Sequence, residues 1–419
     1  MVCKNKLTAK ILSLIFAVSL ILTSFVPLNT LASDIPMVWN GTQTAPTEGE
    51  GTSESPILIE NAEQLAWLVN LTVGETAGKY YKLAADIKLN DTAAENWKEN
   101  ATPWFAQNDG SPAEGDVGFA GTLDGDGHIV SGLYFNNQFH SSQSGLGYWT
   151  LNFGLLPKAK DATVKNIGVI NSDVTVTSVC DGKGSTLVGL LAGRVYGAVK
   201  IEGCFVDDTA SVTGKDVAGG LVGSVDGSLE ATNCYSAAKL TNLNTSGTIF
   251  TGGIAASASA KTFIVRNSYS VNHRITPEYW TDCSGFTYTN VYTDRAPFQG
   301  ESVSGLQLVQ PDDLIGRRAQ SIVDVLGDAW VGNTVGRPYL KIFGDKGYNP
   351  PVLVDNGAVG RVWSGKLAHD FTDGTGTESD PYIIETPEQL AKLANLTVGE
   401  TAGKYYKLAA DIKLNDTAA

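Results

Sequence analysis

Asp207-Asp208 is a paired carboxylate, the residue type that general acid–base chemistry on a glycosidic bond employs. Asp124-Gly125-Asp126-Gly127 alternates oxygen ligands with glycine, as calcium loops do. There, however, His128 stands in place of a third oxygen ligand and no Glu occupies the twelfth position. Both aspartate sets read more simply as turns, a solvated one at Asp207-Asp208 and a tight one at 124–127. Cys180, Cys204, Cys234 and Cys283 form no Cys-x-x-Cys, and His128, His140, His273 and His369 are scattered, with no His-Glu-x-x-His. No metal site or cofactor is therefore expected. A third set is aromatic. Phe205, Tyr235 and Tyr269 recur at intervals of 30 and 34 residues, and rings on one surface can hold a sugar or another protein's apolar patch.

The elements that must position these residues emerge when four segments are aligned on one residue: 162–170, 199–207, 229–237 and 263–271. The shared column is Asn166, Gly203, Asn233, Asn267. Two residues earlier stand Val164, Ile201, Ala231 and Val265, and four earlier Ala162, Val199, Leu229 and Phe263. Between them lie Lys165, Glu202, Thr232, Arg266 and Thr163, Lys200, Glu230, Ile264, polar but for the last. A period of two is a strand with one face buried. Asn and Gly tolerate left-handed backbone, so the shared column turns the chain between two short strands. The repeat of 30 to 37 residues, with apolar columns in register, predicts an all-β fold, a parallel β-helix with rungs about 4.8 Å apart.

In that frame Ile167, Cys204, Cys234 and Ser268 face inward. Adjacent cysteines would sit within the disulfide range of about 4.4–6.8 Å between Cα atoms, yet with parallel Cβ vectors, so a column of small core residues is the simpler reading. Gly168, Phe205, Tyr235 and Tyr269 face outward. Two readings stand for the rings: a ligand-binding ribbon, or mutual packing beneath a loop.

The last three segments follow glycine-rich stretches: GLLAG at 189–193, GGLVG at 219–223 and GGIAA at 252–256. Gly220-Leu221-Val222-Gly223 resembles the GLUG motif of bacterial surface proteins; the third stretch lacks its last glycine. FAGTLDGDGHIVSGLYF at 119–135 and YYKLAADIKLND at 80–91 resemble the coils that precede GLUG repeats. The resemblance spans most of residues 38–345. It implies a right-handed parallel β-helix on a secreted or cell-surface protein, often adhesive and sometimes beside a peptidase domain.

Lys4, Lys6 and Lys10 precede an apolar run from Ile11 to Val26, and Thr30-Leu31-Ala32 offers small residues for cleavage, so 1–32 reads as a signal peptide. The run is shorter than the roughly 20 residues that cross a bilayer. Export leaves 27 basic against 44 acidic residues, a formal charge of −17, which disfavours nucleic acid as a partner. A longer repeat also runs through the chain. Residues 70–94 return unchanged at 395–419, and VWNG at 38–41 returns as VWSG at 362–365. The resulting organisation is a linker at 33–50, the β-helix at 51–295, a C-terminal capping segment at 296–345, a linker at 346–361 and the truncated start of a second copy at 362–419. Asn61 with Gln64 caps a short helix over 62–70, with Leu65, Leu68 and Val69 toward the core; Thr386-Pro387-Glu388-Gln389 caps its counterpart. Residues 311–327 read as helix stopped by Gly327, and RPYLKIF as a closing strand over the last rung.

The function expected is a non-catalytic secreted or cell-surface module for adhesion or display, with a host or matrix protein or a glycan as partner. A polysaccharide lyase or hydrolase and a passive stalk are the alternatives. Against the first of these, the Gly-His-Gly and Arg-Ile-Lys signatures of the polygalacturonase type are absent.

Overall fold

The computed structural model describes residues 38–419 except 105, 109–117, 138–149, 178–184, 244–249, 259–261, 277–284, 296–302, 354–366, 369–370, 372–373, 410–411, 413 and 415–419. The expected signal peptide, Cys180, Cys283, His140 and His369 lie outside the described residues.

The protein is mostly β, with parallel strands in stacked sheets and few helices. One stack runs Ile57–Ile59, Tyr80–Leu83, Thr122–Asp124, Thr163–Lys165, Ala192–Glu202, Val222–Thr232, Thr262–Ser270, Phe286–Thr293, each parallel to the next. A second runs Ile87–Lys88, Ile129–Ser131, Gly168–Ile170, Phe205–Val206, Tyr235–Ser236. It continues through the later halves of Thr262–Ser270 and Phe286–Thr293 to Leu306–Leu308. A third holds Tyr134–Asn137, Asp173–Val176, Ser211–Gly214 and Lys239–Asn242. The fourth holds Thr150–Phe153, Ser185–Gly189, Val217–Gly219 and Phe250–Gly252, with Ala106–Asn108 antiparallel at its edge.

The alternation read from the sequence decides which side of each strand is buried. Val164 pairs with Ile201, Ile201 with Ala231 and Ala231 with Val265, and all four are at most 1% exposed. The column extends to Leu123 and Tyr81 on one side and Tyr288 on the other. Asn166, Asn233 and Asn267 turn the chain at φ 56°, 53° and 47°, and Gly203 does so at 60°. Asn290, at φ 53°, makes a fifth such corner. The glycine-rich corners are set by crowding instead. A Cβ on Gly220 would strike Ser236 Oγ and Gly253 O, and one on Gly223 would strike Gly193 O. Behind these glycines Leu155, Leu190, Leu221 and Ile254 stack in the core.

The helix Ala62–Val69 starts where Asn61 accepts from the Gln64 amide, and it buries Leu65, Leu68 and Val69 against the first strand. Its counterpart Pro387–Asn395 has the expected capping box from Thr386 and Gln389. The repeat extends to register. Ile57 pairs with Tyr81 and Ile59 with Leu83, and 325 residues later Tyr382 pairs with Tyr406 and Ile384 with Leu408.

The segment after the last rung opens with the expected helix and then departs from expectation. Turns of 3-10 helix at Pro311–Leu314 and Gly316–Ala319 lead into the helix Gln320–Leu326, which Gly327 ends at φ 98°. Trp330–Val331 then pairs antiparallel with Tyr339–Leu340. The expected strand RPYLKIF is only partly strand, because Lys341–Asp345 turns into a helix. Nor does this segment close over the last rung. It lies along the flank, packing on Tyr292, Tyr269, Tyr235, Phe205 and Ile129, and its far end ties to an early rung through Lys346 and Asp126, 2.9 Å apart.

Candidate functional site

The flank beneath residues 311–348 brings together most of the residues singled out for chemistry. Parallel pairing puts Phe205 beside Tyr235 and Tyr235 beside Tyr269. Their rings stack with centroids 4.8 and 4.9 Å apart, the rung spacing itself. They point outward from the strands, as the alternation requires. They do not reach solvent: Phe205 and Tyr235 are 1% exposed and Tyr269 is fully buried. The expected ligand-binding ribbon of Phe205, Tyr235 and Tyr269 is thus corrected to a covered ladder. Phe343 meets Phe205 edge-on at 4.7 Å, Tyr348 lies 4.9 Å from it, and Trp330 sits over both tyrosines. Tyr269 donates its hydroxyl to Pro338 O at 2.6 Å. Burial pushes the Tyr235 and Tyr269 phenols up, so both remain protonated donors.

The carboxylate pair follows directly on the strand Phe205–Val206. Asp207 makes the expected turn: its Oδ1 accepts from the Thr209 amide at 3.0 Å and from the Thr209 hydroxyl. The turn is not solvated. Asp207 is 2% exposed, and its Oδ2 accepts from the Tyr348 hydroxyl at 3.1 Å. Desolvation raises its pKa to about 6, against the hydrogen bonds that favour the ionised form. Asp208 is held by Arg337, whose Nε lies 3.1 Å from both carboxylate oxygens and Nη2 2.9 Å from Oδ1. The pair therefore acts as a clasp for the flank segment. Asp207 is buried and Asp208 half-buried, and both are engaged by the flank segment.

Asp124–Gly127 is a tight turn, with Asp126 at φ 52° and Gly127 at 81°, and Asp126 N donating to Asp124 Oδ1 at 2.9 Å. Its carboxylates pair with lysines: Asp124 with Lys165 at 3.0 Å, and Asp126 with Lys82 and Lys346. Among the described residues no group of three His, Cys, Asp or Glu is placed to hold a metal ion. Cys204 and Cys234 are free, buried thiols on the inward side, with pKa values pushed up by burial. Ser268 extends their column, its hydroxyl accepting from Cys234 N at 2.9 Å.

One cavity of about 410 Å³ opens where the flank segment crosses the asparagine corners. Asn166, Glu202, Gly203 and Asn233 line it from the rungs, and Asp328, Leu340, Lys341 and Asp345 from the flank segment. Sequence reasoning found the corner column but not this cavity, nor the roles of Arg337, Trp330, Phe343 and Tyr348. The available signal was an aromatic-rich tail with no partner of its own.

No family model matches the chain. Over 190 residues, 44% of this chain, it is 32% identical to halomucin of Haloquadratum walsbyi; the match spans 2% of that protein's length. An immunoglobulin A1 protease-like protein from Bacteroides ovatus has a solved structure 15% identical to it. That likeness has a TM-score of 0.38 and covers 71% of this chain and 95% of the other. Among the described residues, no helix is long and apolar enough to cross a membrane.

Proposed function

We propose that the chain is an exported, non-catalytic surface module, a right-handed parallel β-helix of the GLUG type that serves adhesion or display. The observation that carries this reading is the second start. The pairing Ile57–Ile59 with Tyr80–Leu83 recurs residue for residue in Tyr382–Ile384 with Tyr406–Leu408, with a capped helix between the strands each time. Presenting the same opening strand pair and capped helix twice multiplies surface, which suits attachment. Right-handedness is what the GLUG resemblance implies, and it agrees with the general preference for right-handed crossovers between parallel strands. The commitment of Asp207 and Asp208 to the flank segment supports the non-catalytic reading over a polysaccharide lyase or hydrolase. The partner is a glycan or a host or matrix protein, met at the cell surface.

The test is to present the exported chain to glycan and matrix-protein arrays and, separately, to acidic polysaccharides. Retention on an array without release of oligosaccharides is expected. Oligosaccharide release that disappears in Asp207→Asn would establish the enzymatic alternative instead.

A further inference from the structure

We propose that the cavity at Gly203 binds an organic cation, an ammonium or guanidinium group on an aliphatic stem. The corner column is a ladder of asparagine amides. At one end Asn290 Nδ2 donates to Asn267 Oδ1 at 2.9 Å, and at the other Asn166 Nδ2 donates to Asp124 Oδ1 at 3.0 Å. Gly203 interrupts it. A Cβ there would lie 2.7 Å from Asn166 Oδ1, so that oxygen is turned toward the bare face of the glycine. On the next rung Asn233 Oδ1 is shielded from solvent and meets no donor.

The rim fixes the sign of the guest. Glu202, Asp328 and Asp345 line the cavity with Lys341 as the one cation, leaving an excess of two negative charges. None of the three carboxylates makes an ion pair among the described residues. They are also not clustered closely enough to share one metal ion. Spread carboxylates, amide oxygens and an apolar wall of Ala329, Leu340 and Ile342 match a charged head on a hydrocarbon stem, and the volume suits a small molecule or one basic side chain.

Two sources share this chemistry: a free polyamine, and an arginine side chain of a polypeptide. The experiment is calorimetric titration of the full chain with spermidine and with Nα-acetyl-arginine methylamide, using Nα-acetyl-citrulline methylamide and calcium chloride as controls. Saturable binding of at least one of the two cations is expected, and whichever binds tighter identifies the source. Gly203→Asn should abolish it. The left-handed corner accepts asparagine, as Asn166 and Asn233 demonstrate, and the new side chain fills the gap. Asp328→Asn with Asp345→Asn, both exposed positions, should weaken binding about tenfold without depending on how Gly203→Asn folds. No saturable binding of either cation, equal binding of citrulline, tighter binding of calcium, or affinities unchanged in both variants would overturn the proposal.

Discussion

The inward column Val164, Ile201, Ala231, Val265 and the outward ladder Phe205, Tyr235, Tyr269 are built by the same rung repeat and end up equally buried. They are buried for different reasons. The inward column is closed by its own rungs, so local alternation is enough to place it. The ladder is closed by residues 311–348, through contacts between residues distant in sequence, such as Tyr348 with Asp207, 141 residues apart. Pointing away from a strand's core side is therefore not the same as facing water, and aromatic rings repeated on an outer face mark a surface that another segment covers.

The largest test of that contrast is at the inward column. Ile201→Asp places a carboxylate among apolar neighbours and should cost about 4 kcal/mol in thermal or chemical unfolding. Lys200→Asp, one residue away and exposed, should cost less than about 1 kcal/mol, mainly from facing Glu230 across the rungs. Equal losses at both positions would break the alternation.

On the ladder, Tyr235→Ala should cost about 3 kcal/mol in urea unfolding, because it empties space between Phe205, Tyr269 and Trp330. A solvent-facing ring would cost only tenths. Arg337→Ala should cost about 2 kcal/mol by leaving Asp208 without its partner in a half-buried setting; a cost near zero would mean that the clasp does not hold the segment.

A smaller effect sharpens the comparison by pH. Asp207 titrates at about 6 when folded, above its ordinary 3.8, so the folded chain binds its proton more tightly than the unfolded chain. The stability it contributes is complete below 3.8 and is lost as pH rises through about 6. Asp207→Asn should flatten that part of the stability–pH curve relative to the parent; an unchanged difference across pH 4 to 7 would contradict the assignment.

Much of this was legible in the sequence because it is local. The inward columns, the Asn corners and both capped helices rest on spacings of a few residues. The rung Phe286–Thr293 was not recognised, although Phe286, Tyr288 and Asn290 occupy the same columns, because its corner follows Asn267 by only 23 residues. The destination of residues 311–348 was not legible either. Their amphipathic pattern requires a partner surface but does not say which one, and the end of the stack and its flank are equally apolar choices. The ribbon reading gave way at that step: the alternation places the rings on the outer face, and which segment packs over them is not written there.

The most direct measurement is tyrosine nitration by tetranitromethane on the folded chain, read by peptide mass spectrometry. Tyr80 and Tyr405 are 38% and 47% exposed, whereas Tyr235 is 1% exposed and Tyr269 fully buried. The account predicts nitration of Tyr80 and Tyr405, with Tyr235 and Tyr269 unmodified until the protein is unfolded. Nitration of Tyr235 at the rate of Tyr80, with circular dichroism unchanged, would contradict the covered ladder.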